Sequence, residues 1–193
     1  PNFESFFDEL IHVSDSIQKY FMYFGKLPIE ITRGCWWNKC SFCNLNIQHK
    51  KFREKNVENI LREIDYLTKK YKILNIQMIG NTLPKKSYQR LFNGIKELDK
   101  DLTFFVEDRA GQLKSNDYTL MKEAGFIHIQ TGIESLSSSY LKKMNKGTKV
   151  IENIATLKFC RENGIKNDYN FIIRYPNEDK IDFKETKENI ELI

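Results

Sequence analysis

The sequence has no run of about 18 apolar residues of the kind that spans a bilayer, and its first residues lack the basic, apolar and small-residue order of a signal peptide. Internal repeats, low-complexity tracts and Gly/Ser linkers are also missing. At 193 residues the chain holds enough material for one domain with a substantial core and too little for two. These absences predict a soluble, cytoplasmic, single-domain protein. Cysteine is scarce at four residues, and in a reducing compartment those four make a poor disulfide framework. Histidine is scarcer still at three, and neither His49 nor His128 has a partner pattern that marks a catalytic base.

Charge is plentiful, with Lys and Arg exceeding Asp and Glu to give a net +5. The excess is spread over helical faces as in Lys69-Lys70 and Lys142-Lys143, without a compact basic stripe interleaved with aromatics, so nucleic acid is not an expected partner. A basic rim can still attract an acidic substrate. With 40% apolar and 30% charged residues, the composition is that of a globular domain.

After an amphipathic opening (Phe3, Phe6, Phe7, Leu10, Ile11), short apolar runs alternate with segments of helical period. The runs are 27–33, 73–80, 102–107, 126–131 and 169–174. Between them lie an apolar face of Val57, Ile60, Leu61, Ile64 and Leu67 and another of Tyr88, Leu91, Phe92, Ile95 and Leu98. A short helix follows that Ser115 can cap and Gly125 can end, then helices around 136–144 and 150–160, and a last one at Phe183 and Ile190. Such alternation predicts an α/β fold with a parallel sheet, curled by right-handed crossovers into an open partial barrel of five readable βα units. Chemistry in such folds collects at the carboxyl ends of the strands.

Cys35, Cys40 and Cys43 crowd onto the loop after the first run, in the order Cys-x4-Cys-x2-Cys. Three soft thiolates on one loop suit an iron-sulfur cluster and leave one iron open to a small molecule. The alternative is a non-catalytic zinc-binding interaction domain with His49 as fourth ligand. Cys160 falls on an apolar helix face with Val150, Ile154 and Leu157 and is expected in the core. Trp36 and Trp37 either shield the metal or pack on the barrel rim.

The loop Arg33-Gly34-Cys35-Trp36-Trp37 through Cys40-Ser41-Phe42-Cys43, placed after the first strand of an alternating chain, resembles the radical S-adenosylmethionine (SAM) superfamily. The usual spacing there is CxxxCxxC, and this chain is one residue longer in the first gap. Together with Cys43-Asn44-Leu45-Asn46, Gln130-Thr131-Gly132-Ile133-Glu134-Ser135, Met144-Asn145-Lys146-Gly147 and Asn170 to Glu178, it is similar to the members that mature ribosomally made peptides.

The resemblance implies a (β/α)6-type partial barrel. It also implies a 4Fe-4S cluster on Cys35, Cys40 and Cys43, with reductive cleavage of SAM and hydrogen abstraction from a substrate, expected to be a peptide or another sizeable molecule. Cobalamin is a further cofactor where an upstream domain exists, and a flavodoxin- or ferredoxin-type protein is the expected electron donor. SAM contacts are expected from Phe42, from Gly80 and Asn81 after the second strand, and from Glu107 and Arg109 after the third. Glu134 and Ser135 follow the fourth strand, and Asn170 and Arg174 the fifth. Residues 1–26 are expected to be an amphipathic N-terminal segment and 27–193 the core. The apolar finish at Ile190, Leu192 and Ile193 without a glycine cap predicts a fragment of a longer enzyme.

Overall fold

Parallel strands need crossover connections, and this chain supplies helices for them. The computed structural model describes residues 1–191, the side chain of Asn46 excepted; Leu192 and Ile193, part of the expectation about the chain's end, lie outside the described residues. Two helices come first, α1 (Glu4–Leu10) and α2 (Asp15–Phe24), then β1 (Leu27–Glu30), β2 (Thr32–Arg33), α3 (Leu45–Gln48), β3 (Arg53–Glu54) and α4 (Val57–Tyr71). The chain continues through β4 (Asn75–Ile79), α5 (Tyr88–Glu97), β5 (Thr103–Arg109), α6 (Ser115–Glu123) and β6 (Phe126–Glu134). It ends with α7 (Ser138–Lys143), α8 (Val150–Glu162), β7 (Lys166–Phe171) and α9 (Lys180–Glu191). Five strands form one parallel sheet in the order β1-β4-β5-β6-β7. The order never closes on itself, so the architecture is the open partial barrel that the alternation predicts.

The period of two along each strand sorts its side chains. Ile29, Ile76, Met78, Phe104, Val106 and Ile129 are buried with Ile60, Ile64 and Leu67 of α4, Leu91 and Phe92 of α5, and Met121 of α6. Each such side chain contributes about 1.5–3 kcal/mol on leaving water. The alternate residues, Gln77, Glu107, Arg109, Gln130 and Glu134, face the opposite side and line its cavities. Helix α4 starts where the Asn56 side chain accepts from the Asn59 amide at 3.1 Å, and it stops at Lys72 in the left-handed conformation.

The opening segment forms two helices rather than one continuous stretch. It is fastened by aromatics: Phe7 stacks on Tyr71 with ring centroids 4.4 Å apart, and the Phe3 amide donates to the Tyr71 hydroxyl at 3.0 Å. The 27–33 run divides. β1 stays in the large sheet, whereas Thr32 and Arg33 pair antiparallel with Glu54 and Arg53, because the chain is leaving the sheet for the cysteine loop. The last strand spans Lys166–Phe171, three residues before the expected start. Its polar Lys166, Asp168 and Asn170 hide it from an apolar-run criterion, and Arg174 turns into a left-handed conformation at φ 59°. Ser115 is the first helical residue of α6 and not its cap; the Asp117 carboxylate instead accepts from the Lys114 amide at 2.8 Å. No described helix is long and apolar enough to cross a membrane.

Candidate active site

The cysteine loop begins at Gly34, whose φ of 83° favours glycine. From there it is hung from three other loops. The Trp36 indole donates to Gln112 Oε1 at 2.6 Å, Trp37 to the Asn145 carbonyl at 2.8 Å, and the Ser41 amide to the Met144 carbonyl at 3.0 Å. Behind β7, the Tyr175 hydroxyl donates to Ser41 Oγ at 2.7 Å. Trp37 lies flat against Gly147, where a Cβ would come within 2.1 Å of the indole and φ is 71°. The Met144-Asn145-Lys146-Gly147 turn is therefore a latch for the loop.

Cys35, Cys40 and Cys43 line one cavity of about 180 Å³ at the carboxyl ends of the strands, together with Phe42, Asn81, Glu107, Asp108, Arg109, Gln130, Gly132, Glu134 and Lys146. Buried Arg109 places Nη1 3.8 Å from Cys40 Sγ and donates through Nη2 to the Lys146 carbonyl at 2.5 Å. Lys146 Nζ, itself buried, donates to Glu134 Oε1 at 2.9 Å. Gly132 makes room for that pair, since a Cβ there would sit 2.6 Å from Lys146 Nζ. Glu134 adopts a left-handed φ of 62°, strain of the kind that collects at functional sites.

Burial pushes the Cys40 thiol up, against the pull of Lys146 and Arg109 toward the thiolate. Burial also raises Glu107, and it drives Asp108 up to about 7 even though the Leu83 and Arg109 amides oppose the shift. Asp108 Oδ1 accepts from the Leu83 amide at 3.1 Å, while Oδ2, Arg109 Nε and Asn38 Oδ1 are buried without a partner. Orphaned polar atoms around three thiols suit a bound group that completes their bonding.

Of the residues singled out in the sequence, the three cysteines, Phe42, Asn81, Glu107, Arg109 and Glu134 come together on this cavity. Gly80 sits on a neighbouring one, about 340 Å³, that shares Asn81 and Glu107; a Cβ at Gly80 would meet Thr32 Oγ1 at 2.2 Å, so glycine lets the chain leaving β4 approach β2. Three join neither cavity. Ser135 is buried, its hydroxyl bonded to Thr186 at 3.0 Å and to the Ser137 amide, and Asn170 and Arg174 are exposed. His49 lies on the neighbouring cavity with Arg33 and Gly34 and does not line the one that the three thiols share. A zinc site of three cysteines and His49 needs all four around one ion. The zinc reading is set aside. Asp108 and Lys146 carry no signal of their own in the sequence: Asp108 falls in no pattern, and Lys146 only in the Met-Asn-Lys-Gly match.

The Radical SAM superfamily model matches residues 29–190. An uncharacterized methyltransferase of Pyrococcus horikoshii is 29% identical over 82% of this chain and 35% of its own length. Among solved structures, the cobalamin-dependent SAM radical enzyme OxsB with aqua-cobalamin bound aligns at a TM-score of 0.74 and 23% identity, covering 89% of this chain and 27% of that one. The radical SAM methyltransferase TsrM from Kitasatospora setae, with cobalamin and a [4Fe-4S] cluster, aligns at 0.76 and 17% identity over 90% and 36%. At those identities the two structures speak for the fold alone. The chain spans about a third of the length of the curated relatives it matches, some of which are named as methylthiotransferases and magnesium-protoporphyrin ester cyclases. With four-fifths of its length under the family model and its cysteine loop at the carboxyl edge of an open parallel sheet, the chain belongs to the radical SAM superfamily of iron-sulfur enzymes.

Proposed function

We propose that Cys35, Cys40 and Cys43 hold a 4Fe-4S cluster and that the cavity beside them binds SAM for reductive cleavage. The observation that carries this reading is the gathering of the three thiols, Glu107, Arg109, Glu134 and Lys146 on one cavity. When bound, the cluster supplies the electron and SAM the radical that takes a hydrogen atom from the substrate. The chain's own residues bind and orient. Arg109 holds the Cys40 sulfur and the latch carbonyl together, and its positive charge favours the thiolate a metal requires. Lys146 and Glu134 neutralise each other in the free protein, so the two can turn together, Lys146 to the carboxylate and Glu134 to the ammonium of SAM, and leave neither charge unpaired. Phe42, with Lys146 Nζ 5.7 Å from its ring centroid, screens the thiols from water.

The test is anaerobic incubation of the reconstituted protein with SAM and dithionite. Formation of 5'-deoxyadenosine and methionine is expected, and their absence in protein with a full iron complement overturns the reading.

The finer reading of the substrate is a peptide, supported by the Gly132–Ser135 and Asn170–Glu178 segments and by their similarity to peptide-maturation proteins. The relatives' names speak for methyl transfer and ring closure instead. Hydrogen-to-deuterium exchange from a labelled peptide into 5'-deoxyadenosine separates the two. We propose residues 27–193 as the SAM-cleaving core, with cobalamin as a further cofactor where an upstream domain exists, a reading supported by the cobalamin-bound neighbours.

A further inference from the structure

Reductive cleavage consumes one electron per turnover, and Cys160, the remaining cysteine, is buried in α8 and lines a different cavity from the three thiols, so among the described residues there is no second cysteine cluster to relay it. The electron enters across the surface, near the thiols. Cys40 itself is only 7% exposed.

Between Cys35 and Cys40 the loop presents Trp36 and Trp37, both partly exposed and neither lining the thiol cavity. Behind them the Arg109 guanidinium carbon lies 5.2 Å from one ring centroid and 5.4 Å from the other, and Nη1 reaches Cys40 Sγ at 3.8 Å. The contacts run unbroken from surface indoles to a thiol. Two cations flank them on the outside: Lys85 Nζ stands 4.5 Å from the Trp36 centroid and Lys39 Nζ 5.3 Å from that of Trp37. Neither lysine pairs with a carboxylate among the described residues. Glu54, the acid on this rim, is held by the Lys85 amide at 2.7 Å and the Ser87 hydroxyl at 3.2 Å.

We propose that the Trp36–Trp37 face, framed by Lys39 and Lys85, is the docking surface for an acidic one-electron carrier protein that reduces the cluster. The inference rests on the cluster assignment above. An aromatic centre with a charged rim is the anatomy of a transient protein interface, and complementary charge acts mainly on the rate of encounter. Neither indole lines the thiol cavity, which is left free for SAM and substrate. A flavin hydroquinone gives up one electron and becomes the semiquinone, the oxidised cluster gains that electron, and no bond forms or breaks.

The experiment follows bleaching of the cluster by stopped flow in the reconstituted protein, using an acidic flavodoxin hydroquinone or dithionite as reductant. The variants are Lys39→Glu with Lys85→Glu, and the milder Lys39→Gln with Lys85→Gln. Charge reversal is expected to lower the flavodoxin second-order rate constant about tenfold at low salt, with the difference shrinking above roughly 0.15 M. The Gln pair is expected to fall between. Iron content and the dithionite rate stay unchanged. A flavodoxin rate that does not move while dithionite still reduces every variant overturns the docking surface and leaves the cluster reading intact. If instead dithionite-driven turnover of an acidic substrate falls while the flavodoxin rate holds, the face belongs to substrate and the proposal fails. Wild-type protein that dithionite cannot bleach removes the cluster reading itself.

Discussion

On the helix side of the sheet, Ile29, Met78, Val106 and Ile129 are buried with Ile60, Leu67, Phe92 and Met121 and present no polar side-chain group to satisfy. A few residues further along the same strands the rule reverses. At the carboxyl edge and its loops, Asn38, Thr82, Asp108, Arg109 and Thr131 each leave a buried polar atom unpaired, and Asn38, Glu134 and Asn145 take left-handed conformations without being glycine. The first region is built for stability alone. The second carries a cost that suits the bound group proposed above, which would complete its bonding. Asn167 on β7 breaks the pattern, with both amide atoms orphaned outside this edge, and nothing in the structure explains it.

The contrast is broken most sharply by one substitution made in both regions. Alanine at Cys35, Cys40 or Cys43 is expected to abolish iron incorporation, since two thiolates cannot hold the cubane. Cys160→Ala should keep the full iron content and cost about 1 kcal/mol in urea unfolding, as a small side chain lost from the core. Iron loss in Cys160→Ala with retention in one of the other three would invert the assignment.

Breaking ion pairs in the two kinds of setting comes next. Lys146→Ala leaves Glu134, only 15% exposed, without its cation, for about 3 kcal/mol of stability and a marked loss of SAM affinity by calorimetry, whereas Lys146→Arg restores much of both. The exposed Lys158–Glu162 pair, 3.7 Å apart, should yield under about 0.5 kcal/mol on Lys158→Ala.

Asp108 adds a pH signature. Its carboxyl is raised from 3.8 to about 7 in the folded protein, so the folded state binds the proton more tightly than the unfolded chain. Stability of the metal-free protein is therefore full below about 4 and falls as pH rises toward 7. Asp108→Asn should match wild type at pH 4 and exceed it by roughly 2–4 kcal/mol at pH 8. Equal stability at both pH values would remove the buried charge from the account.

The smallest effect concerns two glycines with similar φ, 71° at Gly147 and 61° at Gly164. Alanine at Gly164, where the nearest atom is the flexible end of Lys122, costs about 1 kcal/mol for the backbone alone. At Gly147 it also drives Trp37 from the latch, for about 2 kcal/mol and a change in tryptophan emission. Identical losses would show that the latch does not press on the loop.

How much of this could be read from residues alone follows the same division. The helix-facing alternation was legible because apolar side chains at period two and 3.6 leave a direct trace: Val57, Ile60, Ile64 and Leu67 are predicted as one face and are buried as one. β7 starts three residues before its apolar run predicts, because Lys166, Asp168 and Asn170 alternate on the polar side and leave no apolar trace. Asn170 and Arg174 are expected at the site by resemblance alone, and both are exposed and off the thiol cavity. At the carboxyl edge the cysteines stand out by type and spacing. Asp108 and Lys146 do not, because a lone Asp or Lys looks like any solvated charge until the fold buries it. Ser135 looked like a ligand contact by its place in the Gly-Ile-Glu-Ser turn, but the turn aims its hydroxyl at Thr186 and the Ser137 amide.

The proposed cluster with an open iron at the carboxyl edge is tested most directly by spectroscopy. The direct measurement is the electron paramagnetic resonance spectrum of the anaerobically reconstituted, dithionite-reduced protein with and without SAM, on samples assayed for iron and sulfide. Four irons and four sulfides per chain and a reduced-cluster signal that changes on adding SAM are the predicted result. Zinc in place of iron, or a cluster signal indifferent to SAM, would contradict it.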